Sequence, residues 1–234
     1  LLVAVDAAQL EWRCAAWLSN DEVALREINS GADTHSLNQE AFNLPSRLIS
    51  KIYLFRTIFR GSGYAFAHDP SFSHVSSSPD FWDDINCKFY NKYSGLDRWH
   101  TSLAQLSASR QPIQGPTGRE WLILPDDKGK LKWSTFTNYP VQGTGADLVA
   151  IARVSLRNRL SAKGTMALPV STVHDSIVWD CPDSEVPVVA QTMVDVFNDL
   201  PLNFNKLFKQ KLPCPFPGEV KIGKNLSEME KYIV

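Results

Sequence analysis

Leu168-Pro169-Val170-Ser171-Thr172-Val173-His174-Asp175-Ser176-Ile177-Val178-Trp179-Asp180 reads as two short β-strands joined at His174-Asp175. Apolar and β-branched residues flank a polar pair, so the segment predicts a hairpin with Asp175 at its tip. The start of the chain, Leu1-Leu2-Val3-Ala4-Val5-Asp6, fits a buried strand that delivers Asp6 at its end. If the strands are neighbours, Asp6 and Asp175 face one another although most of the sequence separates them. Two such carboxylates repel unless cations lie between them. Hard oxygen ligands suit magnesium, which keeps waters and takes substrate phosphates as its remaining ligands. Taken singly, Asp6 need only end a strand and Asp175 need only make a turn.

Residues 46–60 add a second signal. Pro45-Ser46 is a helix entry and Gly61-Ser62-Gly63 an exit, and between them Arg47, Lys51, Phe55 and Phe59 recur every fourth residue. That spacing makes one stripe, cationic at its start and aromatic at its end. A triphosphate near the helix start would meet Arg47, Lys51 and free backbone amides, while a base or sugar rests on the aromatic half. The alternative for an isolated helix is ordinary amphipathicity, with Phe55 and Phe59 in a core and the cations in water.

With these residues in view the chain resembles the family A DNA polymerases, which include bacterial DNA polymerase I and several phage replicases. The family's Asp-x-Ser-Gln-Ile-Glu-x-Arg is matched by Asp6-Ala7-Ala8-Gln9-Leu10-Glu11-Trp12-Arg13. Its Arg-x3-Lys-x3-Phe-x3-Tyr-Gly is matched by Arg47, Lys51, Phe55 and Phe59, and its His-Asp-Glu by His174-Asp175-Ser176. Asp33-Thr34-His35, the run from Asn138 to Asp147 and Val220-Lys221-Ile222-Gly223-Lys224-Asn225 agree as well, so the resemblance covers essentially the whole chain. Asn38-Gln39 and the residues around His174 give it a phage flavour.

The resemblance implies an α+β fold: a right-hand palm of antiparallel sheet with helices, plus mostly helical fingers. It places residues 1–19 in the palm, 20–135 in the fingers and 136–234 in the palm again. It implies template-directed DNA synthesis on primer-template DNA from deoxynucleoside triphosphates, with two Mg2+ ions, or Mn2+ in their place. Asp6, the Ala7 carbonyl and Asp175 would be metal ligands. Arg47, Lys51 and His35 would hold the phosphates, with Lys51 donating a proton to departing pyrophosphate. Glu11 would act as a steric gate against a 2′-hydroxyl, Phe55 would line the sugar pocket, and Phe59 would stack near the templating base. Asn138, Gln142 and His174 would touch the minor groove, where acceptors common to all base pairs permit sequence-independent checking.

Departures qualify that picture. Ser176 stands where the third motif has glutamate, Phe59 replaces tyrosine, Arg56 and Arg60 occupy usual glycine places, and Ser134 replaces an arginine that contacts the primer terminus. The thumb and exonuclease domain are absent from this chain, which reads as the C-terminal part of a longer or split polymerase. A palm lacking strands would expose a sheet edge, so an N-terminal thumb/exonuclease polypeptide is an expected partner. Two other classes remain: a noncatalytic DNA-binding subunit of a split polymerase, and a two-metal nuclease, for which the Arg47-to-Phe59 stripe has no use.

A net charge of −1 over 234 residues is unusual for a protein that holds DNA alone. Local clusters offset it: Arg153, Arg157, Arg159 and Lys163 along one predicted helix, and Lys206, Lys209 and Lys211. Cys14, Cys87, Cys181 and Cys214 form no zinc signature with the histidines, which favours reduced thiols. No apolar run has the length of a membrane span and none reads as a signal peptide, so the expected location is cytoplasmic, in a bacterial or phage-infected cell.

Helices are predicted over 21–30, opened by a capping box from Ser19 to Glu22, and over 46–60, 80–93, 95–107, 146–160 and 186–199. Residues 120–124 and 130–133 predict a small hairpin around Asp126-Asp127-Lys128-Gly129. Serine-rich residues 69–80 predict a loop, and the chain has no internal repeat.

Overall fold

The computed structural model describes residues 1–234. In chain order it runs β1 (Leu2–Ala7), α1 (Leu10–Ser19), α2 (Glu22–Asn29), α3 (Thr34–Ala41), α4 (Arg47–Thr57), α5 (Gly63–Ala67), α6 (Pro79–Lys92) and α7 (Ser94–Ala108). The short strands β2 (Ile113–Gln114) and β3 (Glu120–Trp121) precede α8 (Trp133–Ala162), β4 (Leu168–Val173) and β5 (Ser176–Asp180). Helices α9 (Val186–Asn198) and α10 (Leu200–Phe208) and strands β6 (Gly218–Gly223) and β7 (Glu230–Lys231) complete the chain. Two units pack separately: Leu1–Leu10 with Gly143–Val234, and Glu11–Gln142.

The first unit is built on a five-stranded antiparallel sheet in the order β4-β5-β1-β6-β7. Alternation along β1 buries Val3 and Val5 completely on the face that α9 covers, and leaves Asp6 on the other. Helix α9 answers with Val189, Met193, Val196 and Phe197, all buried. The approach is close at Gly218: a Cβ there would fall 2.6 Å from Val5 Cγ2 and 2.9 Å from the Phe197 ring. β4 and β5 form the hairpin that the sequence predicts, with Val173 opposite Ser176 and a positive φ of 53° at His174. β4 is an edge strand, which accommodates Pro169 and an irregular register between Pro169 and Ser171, and it leaves Leu168, Val170 and Val173 exposed.

The second unit is helical and its core is aromatic. Tyr53, Phe66, Phe72, Trp82 and Phe89 are all buried, with Tyr53 stacked on Trp82 at 6.1 Å and Phe72 edge-on to Trp82 at 5.2 Å. The serine-rich segment before α6 is a loop, pinned by the Trp82 indole, whose Nε1 donates to the Ser76 carbonyl at 2.9 Å. A smaller core gathers Leu103, Ile113, Ile123 and Phe136.

Several sequence expectations need correction. Helix α2 is capped by Asp21, not by a box from Ser19, which lies in α1 and donates to the Ala15 carbonyl at 2.7 Å. Buried Asp21 serves two helices: Oδ1 accepts from the Ala24 amide at 2.9 Å and Oδ2 from the Leu96 amide at 3.1 Å. Gly95 permits this, because a Cβ there would sit 2.7 Å from Asp21 Cα.

The predicted 120–124/130–133 hairpin does not form. Glu120–Trp121 pairs instead with Ile113–Gln114 across a turn in which Gly118 has φ 84°. Ile123 enters the small core, and the Asp126 carboxylate organises its own turn by accepting from the Lys128 and Lys130 amides. Helix α8 begins at Trp133, well before the predicted 146, and contains Pro140. Burial of Phe136, Val141, Leu148, Ala152 and Leu156 along one helix outweighs the local cost of proline and of Gly143 and Gly145. Helix α4 stops at Thr57 rather than 60: Arg60 takes φ 63° and the Gly61 amide returns to the Arg56 carbonyl.

Candidate active site

The carboxylate of Asp6 projects from the open face of the sheet near the end of β1. The register sets Ser176 of β5 opposite it on one side and Glu219 of β6 on the other. The Ala7 amide donates to the Asp175 carbonyl at 3.1 Å, so the tip of the β4–β5 hairpin is bonded to the residue after Asp6. The sheet therefore brings the two aspartates together, as the hairpin reading expected. Uncommon positive-φ backbone at His174 accompanies the tight turn that presents Asp175, and the His174 side chain is exposed.

A residue given no role from sequence stands closest to this site. Lys221 Nζ lies 2.5 Å from Asp6 Oδ2, and the ammonium is held above its ordinary pKa chiefly by that carboxylate. The stretch from Val220 to Asn225 carries it only as part of a family resemblance, and the register alone shows its aim.

In the second unit, Ser46 caps α4 by accepting from the Ile49 amide at 3.2 Å, which fixes the helix start from which Arg47 projects. Arg47 and Lys51 are exposed, whereas Phe55 is half-buried. Arg47 is paired with Asp33, the N-cap of α3, and the guanidinium holds that carboxyl well below the usual carboxylate range. His35 is buried, its ring 6.1 Å from that of Phe55 and its Nδ1 without a hydrogen bond. Burial first, then the charge of Arg47, lowers its pKa, so the imidazole is neutral at pH 7.

Phe59 follows the helix in the closing turn, so the four-residue stripe ends at Phe55. The two unusual arginines are engaged within their own unit. Arg56 pairs with Asp69 and lies over Phe72; Arg60 pairs with Asp97 at 2.6 Å and lies 4.2 Å from the Tyr90 ring centre. Asn138 is half-buried in α8, and Gln142 Nε2 donates to Glu11 Oε1.

The sequence model of DNA polymerase family A matches residues 1–228. The chain belongs to this family. It is 25% identical over 242 residues to the DNA polymerase of Bacillus phage SP01, covering 97% of this chain and 26% of that protein. It is also 25% identical over 237 residues to the thermostable DNA polymerase I of Thermus aquaticus, covering 95% of this chain and 26% of the relative. The fold matches the POL domain of Pol1 from M. smegmatis, solved in complex with DNA primer-template and dNTP, with a TM-score of 0.79 at 19% identity. That match covers 96% of this chain and 39% of the other. The chain thus spans about a quarter of the length of these curated polymerases and part of the polymerase domain.

Family A polymerases use Mg2+. Asp6 and Asp175 supply hard carboxylates of the kind it takes, near a sheet end where an ammonium already sits on Asp6. No group of three or more His, Cys, Asp or Glu side chains is placed to hold a metal ion. No helix is long and apolar enough to cross a membrane.

Proposed function

We propose that this chain carries the catalytic centre of a template-directed DNA polymerase of phage replication type, acting with an N-terminal thumb/exonuclease polypeptide. The observation that carries the reading is the register that joins Asp6 to the Asp175 hairpin, in a chain matched to the family over residues 1–228. The sheet-bearing segments 1–19 and 136–234 act as palm and 20–135 as fingers.

Asp6, Asp175 and the Ala7 carbonyl would hold two Mg2+ ions, which when bound would supply activation of the primer 3′-hydroxyl and neutralisation of triphosphate charge for an in-line displacement. Arg47 exchanges the carboxylate of Asp33 for a phosphate of similar two-point geometry. Lys51 binds the same phosphates and donates a proton to the leaving pyrophosphate, and His35 offers a neutral imidazole, with Nε2 as the atom that meets phosphate. Glu11, held by Gln142, excludes a 2′-hydroxyl, while Phe55 bounds the sugar and Phe59 the templating base. Asn138, Gln142 and His174 meet the minor groove of the primer-template.

Primer extension with Mg2+ and deoxynucleotides tests this, using the chain alone and joined to its upstream polypeptide. Extension that disappears in Asp175→Asn while DNA binding persists is the expected result. DNA binding without extension in any format would make the chain a noncatalytic subunit instead, and extension by the chain alone would remove the need for the partner.

A further inference from the structure

β6 alternates in the same sense as β1. Val220 is buried, and Glu219 and Lys221 share the opposite, open face. Glu219 lies directly opposite Asp6 and Lys221 opposite Ala4, one position along the same face as Asp6. Two carboxylates abreast on neighbouring strands repel. The ammonium of Lys221 answers this by turning back along the sheet to Asp6 Oδ2, 2.5 Å away. Glu219 pairs with Lys231 at 3.9 Å, and Glu219 and Asp175 both act on the Lys221 ammonium at longer range than Asp6 does.

On the other side of Asp6 the register places Ser176, so no third carboxylate from β5 adds to the pull on a divalent ion. An ion bound to Asp6 must therefore compete with a tethered cation for Oδ2. Lys221 is able to leave: its side chain is 44% exposed, and a flexible four-carbon stem can carry the ammonium into water.

Resting on the metal-ligand reading of Asp6, we propose that Lys221 is a placeholder cation. It keeps the Asp6 carboxylate oriented and neutralised before metal arrives, yields Oδ2 to the ion, and so sets the metal concentration at which the site fills. The opposite arrangement, in which Lys221 stays on Oδ2 and braces Asp6 for the ion, predicts the reverse effect of removing it.

The test is direct binding of Mn2+ alone to the full chain, followed by electron paramagnetic resonance, in wild type, Lys221→Met and Asp6→Asn. A partly exposed ion pair is worth up to ~1 kcal/mol, so Lys221→Met is expected to tighten Mn2+ binding roughly fivefold. Asp6→Asn is expected to lose the site. Unchanged or weaker binding in Lys221→Met, with Asp6→Asn still defective, overturns the placeholder alone. Wild-type Mn2+ affinity in Asp6→Asn overturns the metal-ligand reading and this inference with it. Should Lys221→Met fail to fold, the Lys221 side-chain resonances of the wild-type chain, assigned through Lys221→Arg, give the same decision. Saturating Mg2+ must shift them, and resonances that stay in place refute displacement.

Discussion

The guanidinium of Arg47 grips Asp33 at two points, with Nε 2.5 Å from Oδ2 and a terminal nitrogen 3.1 Å from Oδ1. The same carboxylate caps α3, accepting from the His35 amide at 3.3 Å and the Ser36 hydroxyl at 2.6 Å. One side chain therefore secures the start of one helix and orients the first cation of the next.

The two partners separate by substitution. Asp33→Ala loses a helix cap, which costs about 1 kcal/mol, and urea unfolding of the variant is expected to show it. Arg47→Ala leaves the cap in place and removes a solvent-exposed charge, so its unfolding midpoint stays near wild type; if Arg47 holds phosphate as proposed, the KM for deoxynucleotides of the chain joined to its upstream polypeptide rises as well. Because the folded Asp33 carboxyl lies below its ordinary range, its contribution is complete above the unfolded pKa and is lost as the pH falls below it. Asp33→Asn is expected to flatten the acid limb of the stability profile.

His100 gives a second pH dependence at a higher window. The ring is fully buried between elements bearing Tyr90, Arg60 and Asp97. Neither nitrogen makes a hydrogen bond, although the Ile58 carbonyl is near. Burial above all, then Arg60, pulls its pKa from 6.5 down to about 3. The unfolded chain binds this proton first on acidification. Stability is therefore complete above pH 6.5 and declines as the pH falls toward the folded value. Between pH 6.5 and 5 the loss is about 2 kcal/mol by linkage. Urea titrations at the two pH values should show a smaller difference in His100→Gln; an equal difference would place the proton-linked group elsewhere.

Much of the sheet was legible because its signals are local and periodic. Leu1 to Asp6 and Leu168 to Asp180 each carry a strand pattern, and the turn at His174-Asp175 is bounded by apolar residues on both sides. What escaped depends on tertiary context. Pro140, Gly143 and Gly145 argue for a break, yet α8 runs through them because its buried side is continuous. Asp21 resembles any polar residue after a helix until its second oxygen is found on the Leu96 amide. α3 lies on the segment Asp33-Thr34-His35, which the sequence marks by family resemblance, and only the structure shows that Asp33 caps its start. In the candidate site, motif spacing named Asp6, Asp175, Arg47 and Lys51. Lys221 and the Asp33 clamp depend on strand register and side-chain reach, which no spacing rule encodes.

Glu11 and Gln142 form a hydrogen bond although 131 positions separate them. If Glu11 is the steric gate, its position matters as well as its volume. Glu11→Ala is expected to reduce discrimination of deoxynucleotides over ribonucleotides about tenfold or more, because the volume itself is gone. Gln142→Ala leaves the carboxylate but frees its rotamer, so a smaller loss is expected. The measurement is the ratio of kcat/KM for dCTP and CTP, with the chain joined to its upstream polypeptide. An unchanged ratio in Glu11→Ala would remove the gate assignment.

Gly218 links the packing of the sheet to the carboxylate site. It pairs with Ala7 across from the end of β1, and an added methyl would meet Val5 Cγ2 at 2.6 Å and the Phe197 ring at 2.9 Å. Both neighbours are buried, and β-branched Val5 has little rotamer freedom with which to yield. Gly218→Ala is therefore expected to cost roughly 1–3 kcal/mol by overpacking. If the collision with Val5 is its cause, Val5→Ala should be less damaging in the Gly218→Ala background than in wild type, a positive coupling that a double-mutant cycle measures by urea unfolding. Additive effects would mean that Phe197 alone takes up the strain. Because Val5 adjoins Asp6, strain relayed along β1 should also weaken Mn2+ binding in Gly218→Ala, whereas strain absorbed by α9 would lower stability and leave metal affinity unchanged.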